Sequence, residues 1–333
     1  MPKIVYCDDS EPGITRRKVR HGWGYWDANG KRITDRNEID RLNGIGLPPA
    51  YTGAWFSPNP NGHIQAIGWD EKGRKQYRYH PDFREAREVE KYGMCAEFGR
   101  RLPRLRKRVE KDLRGRKMDK DRAVAAVVRL LDLGFVRVGN ECYAKANKSF
   151  GATTLRKRHA DLEGRVLRLQ YKAKSGKMRT LAIADGSLIR FVRNCQDLPG
   201  QHLFSWLDDA GETHPVSSTD VNEYIRDAMG ETFTAKDFRT WGASKLAFEA
   251  LATAKRDISL KTMLEPVTAA LGNTPAIARK AYVHPRLIEL VKDGQSAFRA
   301  GLTLPRTSKY LSRAERGLLA FLESDSAPSR QAA

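Results

Sequence analysis

The stretch IQAIGWDEKGRKQYRY, residues 64–79, decides the architecture of the first part of the chain. Its two ends alternate apolar and polar residues, and residues 70–74 between them have the composition of a turn. Alternation with a period of two is typical of strands, and a turn between two such runs predicts an antiparallel hairpin. Loops rich in proline precede it at residues 47–50 and 57–62, which favours a β-rich start to the chain.

From Pro81 onward the pattern becomes helical and highly charged. The apolar run 123–133 predicts a helix that stops at Gly134, because glycine is common just after a helix end. Residues 166–171 and 178–183 alternate again and predict a second hairpin, with the basic tip KAKSGK at residues 172–177.

The rest of the chain is predicted to be helical. Residues 221–229 and 242–252 have amphipathic patterns, and Thr274 followed by Pro275 is typical of a helix start. The predicted fold is therefore α+β. A small antiparallel sheet forms an N-terminal domain over residues 1–89, and a mostly α-helical domain carrying a β-hairpin covers residues 90–320. Residues 321–333 are predicted to be a flexible tail.

The charge of the chain indicates a polyanionic partner. Its 333 residues include 60 Lys and Arg against 40 Asp and Glu, a formal net charge of +20. The run 100–122 holds twelve of these cations and four carboxylates. An isolated run of this kind also fits a solvated helix face. In a chain that is basic throughout, it favours a surface that follows the phosphates of nucleic acid.

Several classes of protein are excluded by composition and motifs. The mean hydropathy of −0.59 and the lack of a long apolar run argue against a membrane span. The first residues do not resemble a signal peptide. The cysteines are too far apart for a disulfide framework or a zinc site, which favours a reducing compartment. They are Cys7, Cys95, Cys142 and Cys195. The expected location is the cytoplasm or nucleoid, or the nucleus if the source is eukaryotic.

Motifs for bound nucleotides and metals are also missing from the sequence. It contains no G-x-x-x-x-G-K-[ST], no H-E-x-x-H and no spaced acidic cluster for two metals. We therefore predict no cofactor, no nucleotide and no metal. A protein that acts on phosphodiesters without a metal must stabilise the developing charge with fixed cations. Arginine suits this task because its planar guanidinium can bind two phosphate oxygens.

Three segments supply candidate residues for this chemistry. Arg137 lies in FVRVGNE, Arg239 lies in KDFRTWG, and Tyr282 ends the segment LGNTPAIARKAY. Taken singly, each has an ordinary explanation, because a lone arginine is usually a surface cation and a lone tyrosine at a helix end is usually packed. Their order along the chain is more specific than any one of them.

That order resembles the poxvirus-like and bacterial type IB DNA topoisomerases. It consists of an arginine, a lysine in a basic hairpin, a K-x-x-R motif and then G-N-T-P followed by A-Y. The segment QAIGWDEKGRKQYRY at residues 65–79 is similar to the N-terminal DNA-contacting stretch of that family. The resemblance extends over residues 33–294, which is most of the chain.

The resemblance implies an isomerase that relaxes supercoils of both signs without ATP or a metal. Tyr282 would attack a phosphodiester and form a 3′-phosphotyrosyl intermediate. Arg137 and Arg239 would bind the non-bridging oxygens in the transition state. Lys174 would act as the general acid for the leaving 5′-oxygen, with Lys236 as a supporting cation.

The resemblance also implies that the protein acts as a monomer and that its two domains form a C-shaped clamp around double-stranded DNA. The predicted contacts to DNA outside the catalytic pocket are Arg74, Lys75, Tyr77, Tyr79, Asn140 and Tyr143. Tyr77 and Tyr79 fall on one face of their strand, which fits either a core face or a strand lying in a DNA groove. Asn140 and Tyr143 are predicted on the helix after Arg137.

Two positions depart from the family pattern. Asn273 stands where the family often has a histidine that binds phosphate, and an amide can donate the same hydrogen bond without charge. The hairpin has Ala173 where a glycine is expected before the lysine, so Lys172 and Lys177 are alternatives to Lys174. Asn273 and Tyr282 would also lie about 13 Å apart along one straight helix, so the chain must bend to bring them together.

Two other functions fit parts of the pattern. A tyrosine site-specific recombinase uses the same arginine, lysine and tyrosine chemistry. Recombinases usually have His-x-x-Arg at the second arginine, whereas this chain has Lys236 three residues before Arg239, which favours the topoisomerase. An inactive basic protein that clamps DNA would share the composition, but it would not need the full catalytic set.

Overall fold

An antiparallel sheet of five strands forms the first part of the protein. The computed structural model describes residues 3–230 and 232–324, which divide into two compact units between Lys91 and Tyr92. The strands of the first unit are β1 (Ile14–Val19), β2 (Gly22–Trp26), β3 (Thr52–Phe56), β4 (Ile64–Trp69) and β5 (Lys75–Tyr79). They lie in the order β2-β1-β3-β4-β5. The hairpin predicted at residues 64–79 is confirmed as β4 and β5, in which Ile67 pairs with Tyr77.

The core of the first unit lies between this sheet and one helix, α1 (Arg36–Gly44). Asp35 begins the helix by accepting a hydrogen bond from the Asn37 amide, as is typical of an N-cap. Leu42 on the helix packs with Phe56 of β3 and with Ala66 of β4 in one buried cluster. One sheet face and one helix are thus enough to enclose a small core.

A long helix, α2 (Pro81–Leu113), begins at the proline where the sequence predicts the change to helix. The division between the two units falls within this helix, two residues from the predicted boundary between residues 89 and 90.

The second unit is mostly helical, as predicted, and it contains two small antiparallel sheets. Its further helices are α3 (Lys120–Gly134), α4 (Glu141–Asn147), α5 (Gly186–Gln196), α6 (Ser218–Met229), α7 (Asp237–Thr253), α8 (Leu260–Leu271), α9 (Pro275–Ala281), α10 (Pro285–Lys292), α11 (Gln295–Gly301) and α12 (Arg313–Glu323). Its strands are β6 (Ala160–Glu163), β7 (Val166–Lys172), β8 (Met178–Ile183), β9 (Ser205–Leu207) and β10 (Thr213–Pro215). Short 3₁₀ turns lie at Ala152–Thr154, Lys157–His159 and Lys174–Gly176.

The second predicted hairpin is confirmed as β7 and β8, with β6 on the outer side of β7. Its apolar residues lie on one face because side chains in a strand alternate. Leu167, Leu169 and Tyr171 of β7 are buried in the large core of the second unit. The base of the hairpin is therefore fixed in the core, while its basic tip is exposed.

The predicted start of the C-terminal tail needs correction. Residues 321–333 were predicted to be a flexible tail, but Phe321 belongs to α12 and its ring packs near Phe248 and Phe298. An apolar helix face that packs on the core holds this segment in place. Residues 325–333 of the predicted tail lie outside the described residues.

About half of the cations in the basic run 100–122 form ion pairs with carboxylates of the same unit. Ion pairs join half of its twelve cations to acidic side chains, namely Arg100, Arg101, Arg106, Arg108, Arg114 and Lys120. Arg122 is buried and donates to the backbone carbonyls of Arg116 and Lys117. Much of this charge therefore stabilises the helical domain, which weakens the prediction that the run as a whole follows phosphates.

A buried ion-pair network connects α12 to the helices around it. Arg106 of α2 donates to Asp132 of α3 at 2.8 Å and to Glu315 of α12 at 2.7 Å. The Trp241 indole of α7 donates to the same Glu315 carboxylate at 3.2 Å. Burial alone would raise the pKa of Glu315, but the hydrogen bonds and charge of Arg106 lower it to about 2.

Substituting Glu315→Gln is expected to destabilise the protein by about 3 kcal/mol, because it leaves a buried arginine partly unpaired. The folded-state pKa lies below the ordinary value of 4.5. The contribution of Glu315 is therefore present above that value and is lost as the pH falls toward about 2. Chemical denaturation at neutral and acid pH measures both effects. Glu163→Gln, which breaks an exposed pair with Arg168, is the control and should leave stability near wild type.

Candidate active site

Arg239 lies near the start of α7 and is almost fully buried, with 3% of its surface exposed. Its guanidinium donates to the carbonyl of Phe135, and its Nη2 lies 3.3 Å from the carbonyl of Leu271. Its Nε is buried and has no hydrogen-bond partner in the part of the chain that the structure describes. Burial lowers the pKa of Arg239, against the raising effect of Tyr282 nearby. Such a group is costly to bury, and its two carbonyl neighbours offset part of that cost.

The carbonyl that receives Arg239 belongs to a residue in a strained conformation. The helix α3 ends at Gly134, as predicted, but the left-handed residue that follows it is Phe135 rather than a glycine, with φ 49° and ψ 33°. Few residues other than glycine adopt this conformation. The Phe135 ring packs directly on Gly242 of α7, where a Cβ atom would come within 2.3 Å of it. This close approach holds Phe135 in place despite its backbone strain.

Arg137 follows two residues later, in the loop between α3 and α4. It is half-buried, and its Nη2 donates to Oδ1 of Asn273 at 3.1 Å. The Arg137 carbonyl accepts from the amide of Ala152 at 2.8 Å, which fixes the backbone of this loop. Arg137 and Asn273 are 136 positions apart in sequence, and the fold brings them into direct contact.

Asn273 lies in the short connection between α8 and α9. Gly272 ends α8 with φ +66°, a conformation that favours glycine. Thr274 then begins α9 by accepting from the amide of Ile277, with Pro275 at the first helical position, as predicted. The Asn273 Nδ2 is buried and has no partner among the described residues. It is a hydrogen-bond donor available to a ligand.

Tyr282 occupies the C-cap position of α9. The seven residues of α9 span only about 10 Å, and the chain leaves helical geometry at both ends, which brings Tyr282 and Asn273 to the same side. The hydroxyl of Ser244 donates to the Tyr282 carbonyl at 3.4 Å and accepts from the amide of His284 at 3.0 Å. The guanidinium carbon of Arg239 lies 4.7 Å from the centre of the Tyr282 ring.

The environment of Tyr282 favours its ionised form. Partial burial would raise the pKa of the hydroxyl, but several neighbours outweigh this effect. They are the charge and hydrogen bond of Arg239, the charge of Arg137 and the nearby side-chain amide of Asn273. The pKa of Tyr282 is therefore held below its ordinary value. A tyrosine with a lowered pKa is a better nucleophile at neutral pH.

A titration tests this electrostatic arrangement. Near-ultraviolet tyrosinate absorbance is recorded against pH for wild type and for Tyr282→Phe. The difference between the two curves should show one tyrosine with a pKa below the ordinary value of 10.0. The same comparison is then made between Arg137→Gln and the double variant that also carries Tyr282→Phe. The midpoint of the Tyr282 titration should move to higher pH, because a positive charge near the tyrosinate is lost. Arg36→Gln, which removes an exposed arginine paired with Asp40 on α1, is the control and should leave the midpoint unchanged. An unshifted midpoint in Arg137→Gln would contradict the arrangement.

The two predicted lysines are not brought into this cluster. Lys174 lies in the exposed turn of the hairpin beside Ser175, which has φ 65°. Lys236 precedes α7 and is also exposed. Within residues 3–230 and 232–324, neither lysine side chain forms a hydrogen bond or ion pair. Their roles stay predictions.

A third arginine, Arg179 of β8, lies close to the cluster and was not predicted. It donates to the carbonyls of Gly134 at 2.7 Å and of Ala270. It shares the inward face of β8 with Leu181 and Ile183. An arginine on the apolar face of an alternating strand is the sequence signal that would have identified it.

The predicted DNA contacts of the first unit lie on or next to β5. Tyr77 and Tyr79 lie on one face, with their rings stacked at 5.8 Å and about two-fifths exposed. Arg74 pairs with Asp70 at 2.7 Å, and Lys75 pairs with Asp9. The two tyrosines are thus open to a ligand, whereas both cations already have carboxylate partners.

The predicted contacts of the second unit lie on α4. Asn140 is the N-cap of that helix, and its side chain accepts from the Tyr143 amide at 3.3 Å. The Tyr143 side chain is 51% exposed. The Asn140 side chain therefore caps the N-terminus of α4, while the Tyr143 side chain faces solvent.

No cluster of three His, Cys, Asp or Glu side chains suited to holding a metal occurs among the residues that the structure describes. In the same part of the chain, every helix is too short or too polar to cross a membrane.

Family models match two consecutive parts of the chain. Residues 22–70 match the bacterial DNA topoisomerase IB N-terminal domain, and residues 80–282 match the eukaryotic DNA topoisomerase I catalytic core. The second match ends at Tyr282 and includes both arginines of the cluster.

Curated relatives cover most of the chain. DNA topoisomerase 1B of Acanthamoeba polyphaga mimivirus is 33% identical over 86% of this chain and 89% of its own length. DNA topoisomerase 1B of Vaccinia virus (strain Copenhagen) is 22% identical over 68% of this chain and 72% of its own length.

A solved structure of the XerH site-specific recombinase bound to palindromic difH substrate is a weak match. It is 17% identical over 57% of this chain, with a TM-score of 0.37, and this chain spans about half of its length. That likeness carries no argument about function. The model of the catalytic core covers more than half of the chain, and the mimivirus relative covers nearly all of it. The chain belongs to the type IB DNA topoisomerase family.

Proposed function

We propose that this type IB DNA topoisomerase relaxes positive and negative supercoils of double-stranded DNA by cutting and resealing one strand, without ATP or a metal. The observation that carries the proposal is the convergence of Tyr282 with Arg137, Arg239 and Asn273. A nucleophile with a lowered pKa beside two guanidinium groups suits attack on a phosphodiester.

In the cleavage step, the deprotonated Oη of Tyr282 attacks the phosphorus atom. A bond forms between phosphorus and Oη, and the bond to the 5′-oxygen breaks with its electron pair on that oxygen. The product is a 3′-phosphotyrosyl link and a free 5′-hydroxyl end. Because the new phosphodiester replaces the old one, no bond energy is lost and the reverse attack reseals the strand without ATP.

The charge that develops on the phosphoryl oxygens needs fixed donors. Arg137 and Arg239 would supply charge-assisted hydrogen bonds there, and Asn273 would add its buried Nδ2, which has no partner among the described residues. The amide takes the place of the histidine common in the family. Donors that are already in position require little reorganisation during the reaction.

Lys174 is proposed as the general acid that gives its proton to the leaving 5′-oxygen. Lys172 and Lys177 lie on the same exposed tip and remain alternatives. The role requires the hairpin tip to approach the scissile phosphate when DNA is bound. Lys236 is proposed as a supporting cation beside the same phosphate.

DNA contacts outside the pocket are proposed at Tyr77 and Tyr79 in the first unit and at Asn140 and Tyr143 in the second. The exposure of Tyr77, Tyr79 and Tyr143 supports this assignment. Arg74 and Lys75 would have to exchange carboxylate partners for phosphates. Enclosure of the duplex by a C-shaped clamp, action as a monomer and the cellular location stay predictions.

The test is relaxation of plasmids of both supercoil signs in EDTA and without ATP. The proposal predicts that both are relaxed through a ladder of topoisomers. Recombined or catenated products that depend on one DNA sequence would favour the recombinase. A folded protein that binds the plasmid and relaxes neither sign would favour the inactive clamp.

A further inference from the structure

Arg179 occupies a junction between three segments of the catalytic unit. It lies on β8, its guanidinium donates to the carbonyl of Gly134 at 2.7 Å, and a second hydrogen bond reaches the carbonyl of Ala270. Gly134 is the last residue of α3, and Ala270 lies in the last turn of α8. Carbonyls at helix ends lack partners within the helix, so a cation that reaches two of them is well placed to hold both.

Each of the three segments leads directly to a candidate active-site residue. Gly134 precedes Arg137 by three positions, and Ala270 precedes Asn273 by three positions. On the hairpin, Arg179 pairs across the strands with Tyr171, which precedes Lys174 by three positions. Three extended residues span about 10 Å, so this junction is near the tip that carries Lys174.

The absence of a side chain at Gly272 leaves space for the Arg179 guanidinium. A Cβ atom on Gly272 would lie 2.8 Å from Nη1 of Arg179, so a larger residue there would displace the guanidinium. Burial lowers the pKa of Arg179, and the charge of Arg137 lowers it further. Tyr171 opposes these effects in part, but a half-buried arginine near two others is still electrostatically unfavourable, which argues that its position serves more than packing.

We infer that Arg179 is a positioning residue that holds the Lys174 hairpin against the segments of Arg137 and Asn273. The inference rests on the proposed function of Lys174 as general acid. Arg179 does not touch the reacting atoms in this account. It fixes the strand from which the lysine reaches the leaving oxygen, through its Nη2 atom, which donates to both carbonyls.

The experiment compares cleavage of two duplexes that differ in one atom. One has the normal 5′-oxygen at the scissile phosphate, and the other has sulfur as the bridging leaving atom. A thiol has a pKa of about 8.5, whereas that of water is about 15.7, so a sulfur leaving group needs little help from an acid. Single-turnover cleavage is measured for wild type, Arg179→Gln, Arg179→Lys and Lys174→Ala.

The inference predicts that Arg179→Gln cleaves the oxygen duplex about 10²-fold more slowly than wild type, the size of a general-acid contribution. Its rate on the sulfur duplex should approach that of wild type. Arg179→Lys should behave in the same way, because both hydrogen bonds come from Nη2, and a lysine nitrogen lies one bond closer to the backbone and does not reach that position. Arg168→Gln on the exposed face of β7 is the control and should match wild type on both duplexes.

The variants separate failure of the inference from failure of the proposed function. Lys174→Ala must cleave the oxygen duplex slowly and cleave the sulfur duplex at a rate near that of wild type. If its rate on the sulfur duplex stays low, Lys174 is not the general acid, and the inference about Arg179 fails as well. If Lys174→Ala is rescued, two results overturn the inference alone. The first is cleavage of the oxygen duplex by Arg179→Lys at the wild-type rate. The second is equal slowing of the Arg179 variants on the oxygen and sulfur duplexes, as general damage to the fold would produce. Thermal melting and DNA binding of each variant identify such damage.

Discussion

Replacing Tyr282 with phenylalanine is expected to reduce DNA relaxation by at least about 10⁴-fold, since no other group takes over a lost nucleophile. The substitution removes only the hydroxyl. The ring keeps its place 4.7 Å from the guanidinium carbon of Arg239, and the backbone contact with Ser244 does not involve the side chain. DNA binding and thermal stability should therefore stay close to wild type. Plasmid relaxation, a DNA-binding titration and a melting curve on the same preparation measure all three.

Tyr224→Phe is the matched control for this prediction. Tyr224 is also a buried tyrosine with a polar partner, since its hydroxyl donates to Asp112 at 2.6 Å, but it lies on α6 outside the cluster. Tyr224→Phe should retain relaxation. If Tyr282→Phe relaxed DNA at a rate similar to Tyr224→Phe, the nucleophile would have been assigned to the wrong residue.

The second large effect is expected for Arg239→Lys, which keeps the charge and removes the planar fork. Arg239 directs separate nitrogens toward the carbonyls of Phe135 and Leu271. A lysine ammonium cannot hold both and still face a phosphate. Single-turnover cleavage should fall by about 10²- to 10³-fold, the cost of losing one preorganised donor. The rate should fall at saturating DNA, because the lost contact acts in the transition state.

Arg122→Lys is the control for the loss of a buried guanidinium. Arg122 is as buried as Arg239, at 3% exposure, and it also donates to two backbone carbonyls. Its carbonyl partners, Arg116 and Lys117, lie far in sequence from the cluster. A loss of stability without a loss of rate is expected there. Equal slowing of cleavage in both variants would mean that Arg239 acts only through the fold.

Much of this architecture follows from local patterns in the sequence. The hairpins β4–β5 and β7–β8 were predictable because strand alternation and turn composition are short-range features. The start of α9 at Thr274 and Pro275 was predictable for the same reason. The residues that converge at Tyr282 were identified by their order along the chain, which reflects family resemblance rather than a rule of local structure.

Other features depend on contacts between distant parts of the chain. The left-handed residue after α3 is Phe135 because Gly242 of another helix leaves room for its ring. Arg179 reaches Ala270 across 91 positions, and Arg106 reaches Glu315 across 209. No local pattern encodes these partners. The same contacts explain why part of the basic run is paired within the protein rather than free for phosphates.

The most direct test of Tyr282 as the nucleophile is to identify the amino acid that becomes covalently joined to DNA. Enzyme denatured during reaction with end-labelled duplex, then digested and analysed by mass spectrometry, yields the peptide that carries the nucleotide. We expect Tyr282 to be linked to the 3′-phosphate of the cut strand and the other end to be a free 5′-hydroxyl. Attachment to another residue, attachment through a 5′-phosphate, or relaxation without any covalent adduct would contradict this assignment.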